Sequence, residues 1–266
     1  MSALHVETYG PDSSGAPLVL ALHGLTGHGR RWSRLAADLP GHRIVAPDLL
    51  GHGESSWEPP WSYDAHLRAL DAVVGTFDAP FTVVGHSFGG ALAIRLAQRH
   101  PGRANALVLL DPAQGLDPRR ALDVATAGMA HWTYGSAAAA RAAKCAEGWA
   151  AVPAEILDEE IGIHLRPSEQ IGLPAGRFGW RVSQPATATA WSEMAAGLEL
   201  PPPGLPTDVV VADRVDPPLV GAAFLDACRT ERADSVCIHH ADCEHMVPFL
   251  EPGLVARLVA TAAGRP

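Results

Sequence analysis

Ser87 is the residue whose surroundings most directly suggest chemistry. It sits in Gly85-His86-Ser87-Phe88-Gly89, a Gly-x-Ser-x-Gly spacing. A serine hydroxyl becomes a nucleophile when a neighbouring base can take its proton. It must also be projected into a cleft, and the flanking glycines allow this: they let a strand and a helix approach a sharply turned serine without side-chain collision. The spacing alone arises by chance in about one chain in eight of this length and glycine content. The context is more specific. Phe81-Thr82-Val83-Val84 reads as a buried strand leading in, and Ala91-Leu92-Ala93-Ile94-Arg95-Leu96-Ala97 as a buried helix leading out. That is the strand–turn–helix arrangement such a nucleophile needs.

The elements around this turn predict an α/β fold. Short, continuously apolar runs at 18–22, 43–46, 81–84, 106–110, 208–211 and 235–238 read as strands of a mostly parallel sheet covered on both faces. Helical patterns lie between them. Tyr63, Leu67, Leu70, Val74 and Phe77 fall on one stripe, and Leu254, Val255, Leu258 and Val259 form another after Pro252, a good first-turn residue. The alternation stops in the middle, where residues 114–200 show Ala-rich helical stretches and no convincing strand before Pro201-Pro202-Pro203-Gly204. The predicted organisation is therefore a core of residues 1–113 and 201–266, with a helical cap insertion over 114–200. An insertion at that point would lie over the strand ends, where open α/β sheets bind ligands.

Composition excludes several function classes. With 266 residues, 47% hydrophobic and 18% charged, the chain can bury a large core. A net charge of −9 without any Lys/Arg run argues against nucleic-acid binding. Cys145, Cys228, Cys237 and Cys243 show no CxxC or metal-ligand spacing, so neither a metal nor another cofactor is expected, nor a disulfide framework. The opening MSALHVETYG lacks the basic and apolar regions of a signal peptide, and no apolar run is long enough to span a membrane. A cytoplasmic protein acting on a small molecule, without membrane insertion, is expected; no feature of the sequence specifies an oligomeric state.

Taken together, these segments resemble the α/β-hydrolase superfamily, and the resemblance extends over nearly all of the chain outside the insertion. Leu22-His23-Gly24-Leu25 stands where that family places its His-Gly oxyanion loop. Ala46-Pro47-Asp48-Leu49-Leu50-Gly51-His52-Gly53-Glu54-Ser55 is similar to a Pro-Asp-x-x-Gly-x-Gly-x-Ser stretch of its cap-bearing esterases, and Phe178-Gly179-Trp180-Arg181 also resembles a segment of cap-bearing members. Asp242-Cys243-Glu244-His245-Met246-Val247-Pro248 resembles the segment that carries the family's catalytic histidine, with Glu244 replacing a common Gly.

The resemblance implies a set of roles. His245 would be the general base, and the backbone N–H groups of Leu25 and Phe88 would form the oxyanion hole. His23 would orient its loop, while Asp48, His52 and Ser55 would tie theirs down. His239 and His240 are expected to serve packing or the surface. The acid that orients the imidazole is expected at Asp216, in Asp213-Arg214-Val215-Asp216 after the 208–211 strand, with Asp213 and Asp111 as alternatives. All three satisfy the chain order Ser…Asp…His.

The implied activity is hydrolysis of carboxylic esters through an acyl-enzyme. Trp132, Trp149, Trp180 and Trp191, in or near the insertion, favour an apolar acyl or alcohol group, unless they serve only to bind the insertion to the core. Two other readings compete: a C–C bond hydrolase or lyase with the same three residues, and a non-catalytic ligand-binding protein of this fold. Members that use an aspartate nucleophile are disfavoured by Ser87.

Overall fold

The computed structural model describes residues 4–13 and 15–265, so the first three residues of the expected core, together with Ser14 and Pro266, lie outside the described residues. The chain begins with β1 (Val6–Tyr9), β2 (Leu18–Leu22), α1 (Ser33–Asp38) and β3 (Arg43–Pro47). It continues through α2 (Tyr63–Val74), β4 (Phe81–His86), α3 (Phe88–Arg99) and β5 (Ala104–Leu110). The segment after β5 holds α4 (Pro118–Ala130), α5 (Ala137–Lys144), α6 (Ala154–His164), β6 (Leu165–Pro167), β7 (Phe178–Trp180) and α7 (Gln184–Ala195). The sheet then resumes with β8 (Thr207–Ala212), α8 (Ala222–Glu231), β9 (Val236–Ala241), the one-turn α9 (Val247–Leu250) and α10 (Pro252–Ala263).

Seven strands form one sheet in the order β1-β3-β2-β4-β5-β8-β9. All neighbouring pairs are parallel except β1 with β3. The fold is thus α/β with a mostly parallel sheet. Its six parallel strands overlap the six apolar runs, with boundaries that differ by no more than three residues at either end. Central strands are buried on both faces: every residue of β4 and of β8 is inaccessible or nearly so. Alternate residues feed two cores. Val83, Leu107 and Val209 pack with α2, α3 and α8, while Val84, Val108 and Val210 pack with α1 and α10.

Helix starts follow local chemistry. Ser62, Asp117, Ser136 and Ser183 each accept a backbone N–H from the first turn of α2, α4, α5 and α7. These side-chain oxygens satisfy donors that a helix cannot satisfy itself. Pro118 and Pro252 occupy first-turn positions in α4 and α10, where a missing N–H costs nothing.

The strand order has one consequence for the site. β3 lies on one side of β2 and β4 on the other, so the connections leaving β2 and β4 diverge and open a crevice at their carboxyl ends. Ligands of open α/β sheets bind at such a reversal. The segment between β5 and β8 differs from the expectation in one respect. It contains the antiparallel pair β6–β7, three residues long, whose Phe178 side was too short to register as an apolar run.

Candidate active site

Ser87 follows β4 directly and precedes α3, with φ 55° and ψ −120°. Positive φ is a strained conformation for a residue with a Cβ. The strain is imposed by close packing on both sides. A Cβ on Gly85 would meet the backbone of Gly89, and one on Gly89 would meet the carbonyls of Leu22 and His23. Ser87 is held by its own N–H on Leu110 O and by three amides, from Gly90, Ala91 and Ala113, that donate to its carbonyl. Phe88 is the first residue of α3, so its N–H has no intrahelical acceptor and points out of the helix end.

The loop after β2 passes directly against the serine. A Cβ on Gly24 would stand 2.9 Å from Ser87 Cβ and 3.0 Å from His86 Nδ1. His23 fixes this loop. Its Nε2 accepts the N–H of Leu49 at 2.9 Å, so its Nδ1 carries the proton and donates to Gly24 O at 2.8 Å. Burial, reinforced by nearby His52, holds the imidazole neutral, its pKa well below the ordinary histidine range. Gly24 O also receives the N–H of Gly27 at 3.1 Å. The carbonyl of Gly24 and the N–H of Leu25 belong to one trans peptide and point in opposite directions. Anchoring the first therefore aims the second.

His245 follows β9, and its Nδ1–H donates to Asp111 Oδ2 at 2.6 Å. That bond leaves Nε2 as the nitrogen free to exchange a proton. Asp111 is 1% exposed and sits at φ 46° just past the end of β5, where its Oδ1 also accepts the N–H of Ala212 at 3.2 Å. The carboxylate hydrogen-bonded to the imidazole is Asp111, an alternative to the expected Asp216. Asp216 is exposed, in the loop after β8, one strand farther from β4. Asp213, the other alternative, accepts from His240 Nδ1 on the surface. β5 is the strand adjacent to the nucleophile strand, so its carboxyl end is the nearer platform.

Among the described residues no hydrogen bond joins Ser87 Oγ to His245. Such bonds are often long before substrate binds. The two residues are nonetheless tied through His86, whose Nε2–H donates to His245 O at 2.8 Å and whose ring lies 4.6 Å from that of His245. Burial lowers the His86 pKa strongly, as does neighbouring His245, so His86 acts here as a neutral strut.

The other expected positions fall as loop anchors. Asp48 Oδ1 and Oδ2 accept the N–H groups of Gly29 and Glu54, Ser55 Oγ donates to Asp48 O, and His52 Nδ1 donates to Leu50 O. His239 Nε2 bonds Asp208 Oδ1 at 2.8 Å. With Cys237 these form the one group of metal-type donors found among the described residues, all within 4.8 Å of one another. It lies near the amino end of β8 and in β9, away from the carboxyl ends that carry Ser87, Asp111 and His245.

The residues that sequence reasoning missed are charged and buried. Glu160 on α6 and Lys144 on α5 are 3% and 2% exposed, joined at 3.0 Å. Arg31 and His28, from the segment after β2, reach the same carboxylate at 2.5 and 3.0 Å. Burial opposes ionisation of Glu160, but Arg31, Lys144 and His28 outweigh it and hold the carboxyl well below its usual range. Lys144 Nζ lies 4.6 and 4.2 Å from the ring centroids of Trp149 and Trp180. These two tryptophans therefore face a cation within the segment between β5 and β8, and Glu160 carries the contact on to Arg31 and His28. A signal existed: Glu160 and His164 share the stripe of Ile156 and Leu157, and Lys144 stands one turn after buried Ala140.

The comparisons with known proteins agree with this architecture. The family model for the alpha/beta hydrolase fold matches residues 17–252. The chain belongs to this family. Within it, the chain is 45% identical over 262 residues to Lipase LipV of Mycobacterium tuberculosis, covering 98% of both chains. Among solved structures, E-2-(acetamidomethylene)succinate hydrolase superimposes with a TM-score of 0.78 at 19% identity, covering 97% of this chain and 94% of that one. An esterase from Exiguobacterium antarcticum gives 0.75 at 14% identity, covering 99% of both. These two share the α/β-hydrolase fold with the chain. No helix among the described residues is long and apolar enough to cross a membrane.

Proposed function

We propose that this chain hydrolyses carboxylic esters through an acyl-enzyme on Ser87. The observation that carries the reading is the 2.6 Å bond from His245 Nδ1 to buried Asp111, at the strand ends that also carry the strained Ser87. Full-length similarity to a named lipase supports ester chemistry. In this reading His245 Nε2 takes the proton of Ser87 Oγ as that oxygen attacks the ester carbonyl. Asp111 holds the imidazole in the required tautomer and stabilises the imidazolium that forms. The amides of Leu25 and Phe88 bind the oxygen of the tetrahedral intermediate. His245 then protonates the departing alcohol, and water, deprotonated by the same nitrogen, hydrolyses the acyl-enzyme.

Residues 114–200 act as a cap in this scheme, because Trp149, Ile156 and Leu157 pack on Met246 and Phe249 beside His245. A shallow depression next to Gly24 and His86 is walled by His23, Arg31, Trp32, Met246, Pro248 and Phe249, and its apolar side chains support an apolar group on the substrate. No metal or other cofactor takes part in any step of this scheme, and a small-molecule ester in the cytoplasm is the proposed substrate setting.

The test is a chain-length series of p-nitrophenyl esters with wild type and Ser87→Ala. Turnover should fall by about 10³-fold or more in the variant. Equal rates in the two proteins would remove Ser87 from the chemistry. Wild type inert toward esters yet active on a diketone would favour carbon–carbon cleavage.

A further inference from the structure

The ionic cluster around Glu160 continues into the loop that carries the Leu25 amide. Arg31 donates Nη2–H to Glu160 Oε1 at 2.5 Å and Nε–H to Oε2 at 3.2 Å. A second Nη2–H reaches Thr26 O at 2.8 Å. Thr26 lies at φ 56°, an unfavourable conformation for a β-branched residue, so an external hold on its carbonyl matters. The N–H of Gly27 shares a trans peptide with that carbonyl and therefore points the opposite way. It donates to Gly24 O, the carbonyl whose own peptide carries the Leu25 N–H. The packing leaves no slack: a Cβ on Gly27 would stand 2.7 Å from His23 Nδ1, 2.8 Å from Arg31 Nη1 and 2.8 Å from Gly24 O.

We propose that Glu160 is a positioning residue for the oxyanion hole: by fixing Arg31 it orients two hydrogen-bonded peptide planes, Thr26–Gly27 and Gly24–Leu25, and so aims the Leu25 N–H. The inference rests on the proposed esterase reading and on Leu25 as oxyanion donor. It makes docking of α6 a condition for a competent site, because Glu160 and Lys144 belong to the insertion whereas Arg31, Thr26 and Gly27 belong to the core. His23 holds Gly24 O independently. Loss of the Glu160 link should therefore cost less than deleting an oxyanion donor outright, which costs about 10²–10³ in kcat.

The variants are Arg31→Lys, which keeps the charge but loses the Nε–H on Glu160 Oε2 and the rigid planar fork that holds Nη2 on Thr26 O, and Glu160→Gln, which removes the charge at nearly constant volume. Glu159→Gln is the control: Glu159 is next in the chain and pairs with Arg34 at 3.0 Å, but both are exposed. For each protein, kcat and KM are measured on p-nitrophenyl butyrate, and Ki is measured for an aryl trifluoromethyl ketone, which places an oxyanion in the hole. The folded fraction at the assay temperature is read by circular dichroism, and activities are referred to it; the milder Arg31→Lys decides the matter if Glu160→Gln does not fold.

Expected are a fall in kcat of about tenfold with KM within about twofold, and a parallel rise in Ki, in Arg31→Lys and Glu160→Gln but not in Glu159→Gln. The proposal is overturned by unchanged kcat in Arg31→Lys, by a loss confined to KM, by an unchanged Ki, or by an equal loss in Glu159→Gln. Failure of the esterase reading would look different: wild type itself would neither turn over the ester nor bind the ketone.

Discussion

At the scale of single residues, the carboxylate beside His245 gives the sharpest prediction. Asp111→Asn keeps the shape but leaves an amide opposite the imidazole, which favours the wrong tautomer. Its kcat on p-nitrophenyl butyrate should fall by about 10⁴-fold, whereas Asp216→Asn should stay within about twofold of wild type, since Asp216 is exposed and the imidazole is hydrogen-bonded to Asp111 instead. The reverse pattern would return the role to Asp216. Ser87 and its two glycines were legible in the sequence because their requirement is steric and local: the same three positions make the turn and the collision-free crossing. Which carboxylate meets the imidazole was not legible, because chain order allows Asp111, Asp213 and Asp216 alike. Only the three-dimensional order of strands, with β5 beside β4, ranks them.

At the scale of elements, the segment between β5 and β8 is fixed to the loops beside the sheet by an aromatic and ionic joint. Trp149 is 4% exposed, packs on Phe249 with ring centroids 5.4 Å apart, and faces both Arg31 and Lys144. Trp149→Ala should destabilise this joint by about 3–5 kcal/mol, a typical cost for emptying a large core site. Limited proteolysis should then cut within residues 114–200 at protease concentrations that leave wild type intact. Cleavage elsewhere at the same rate would mean that the joint is not what holds the segment. The parallel strands were readable as apolar runs because both of their faces are covered. β1 was not, since Val6–Tyr9 is a four-residue antiparallel edge strand and only partly buried. The insertion's buried Lys144 and Glu160 escaped notice because charged residues are ordinarily assigned to solvent. Their place on otherwise apolar stripes is the only trace they leave.

At the scale of the whole molecule, a set of neutral, buried histidines sets the acid limit of stability. Burial holds His23, His86 and His164 well below the usual range and brings His52 down to about 4 and His66 to about 3. In the unfolded chain each would titrate near 6.5. Below that pH the unfolded state binds protons that the folded state refuses, so stability is complete above about 6.5 and declines as pH falls toward the folded values. Each such group contributes a slope of up to about 1.4 kcal/mol per pH unit. The expected result is a Tm that drops steeply from pH 7 to pH 5, before most carboxylates begin to titrate. A flat Tm over that interval would show that these imidazoles are protonated in the native state.

Ser87 is only 6% exposed, with the loop after β2 packed against it. A bulky ester then reaches the hydroxyl only as neighbouring side chains give way. Admission and reaction become separate events in time. For large substrates the slower of the two need not be the bond-breaking one, and discrimination among esters can lie as much in who gains entry as in how well the carbonyl fits.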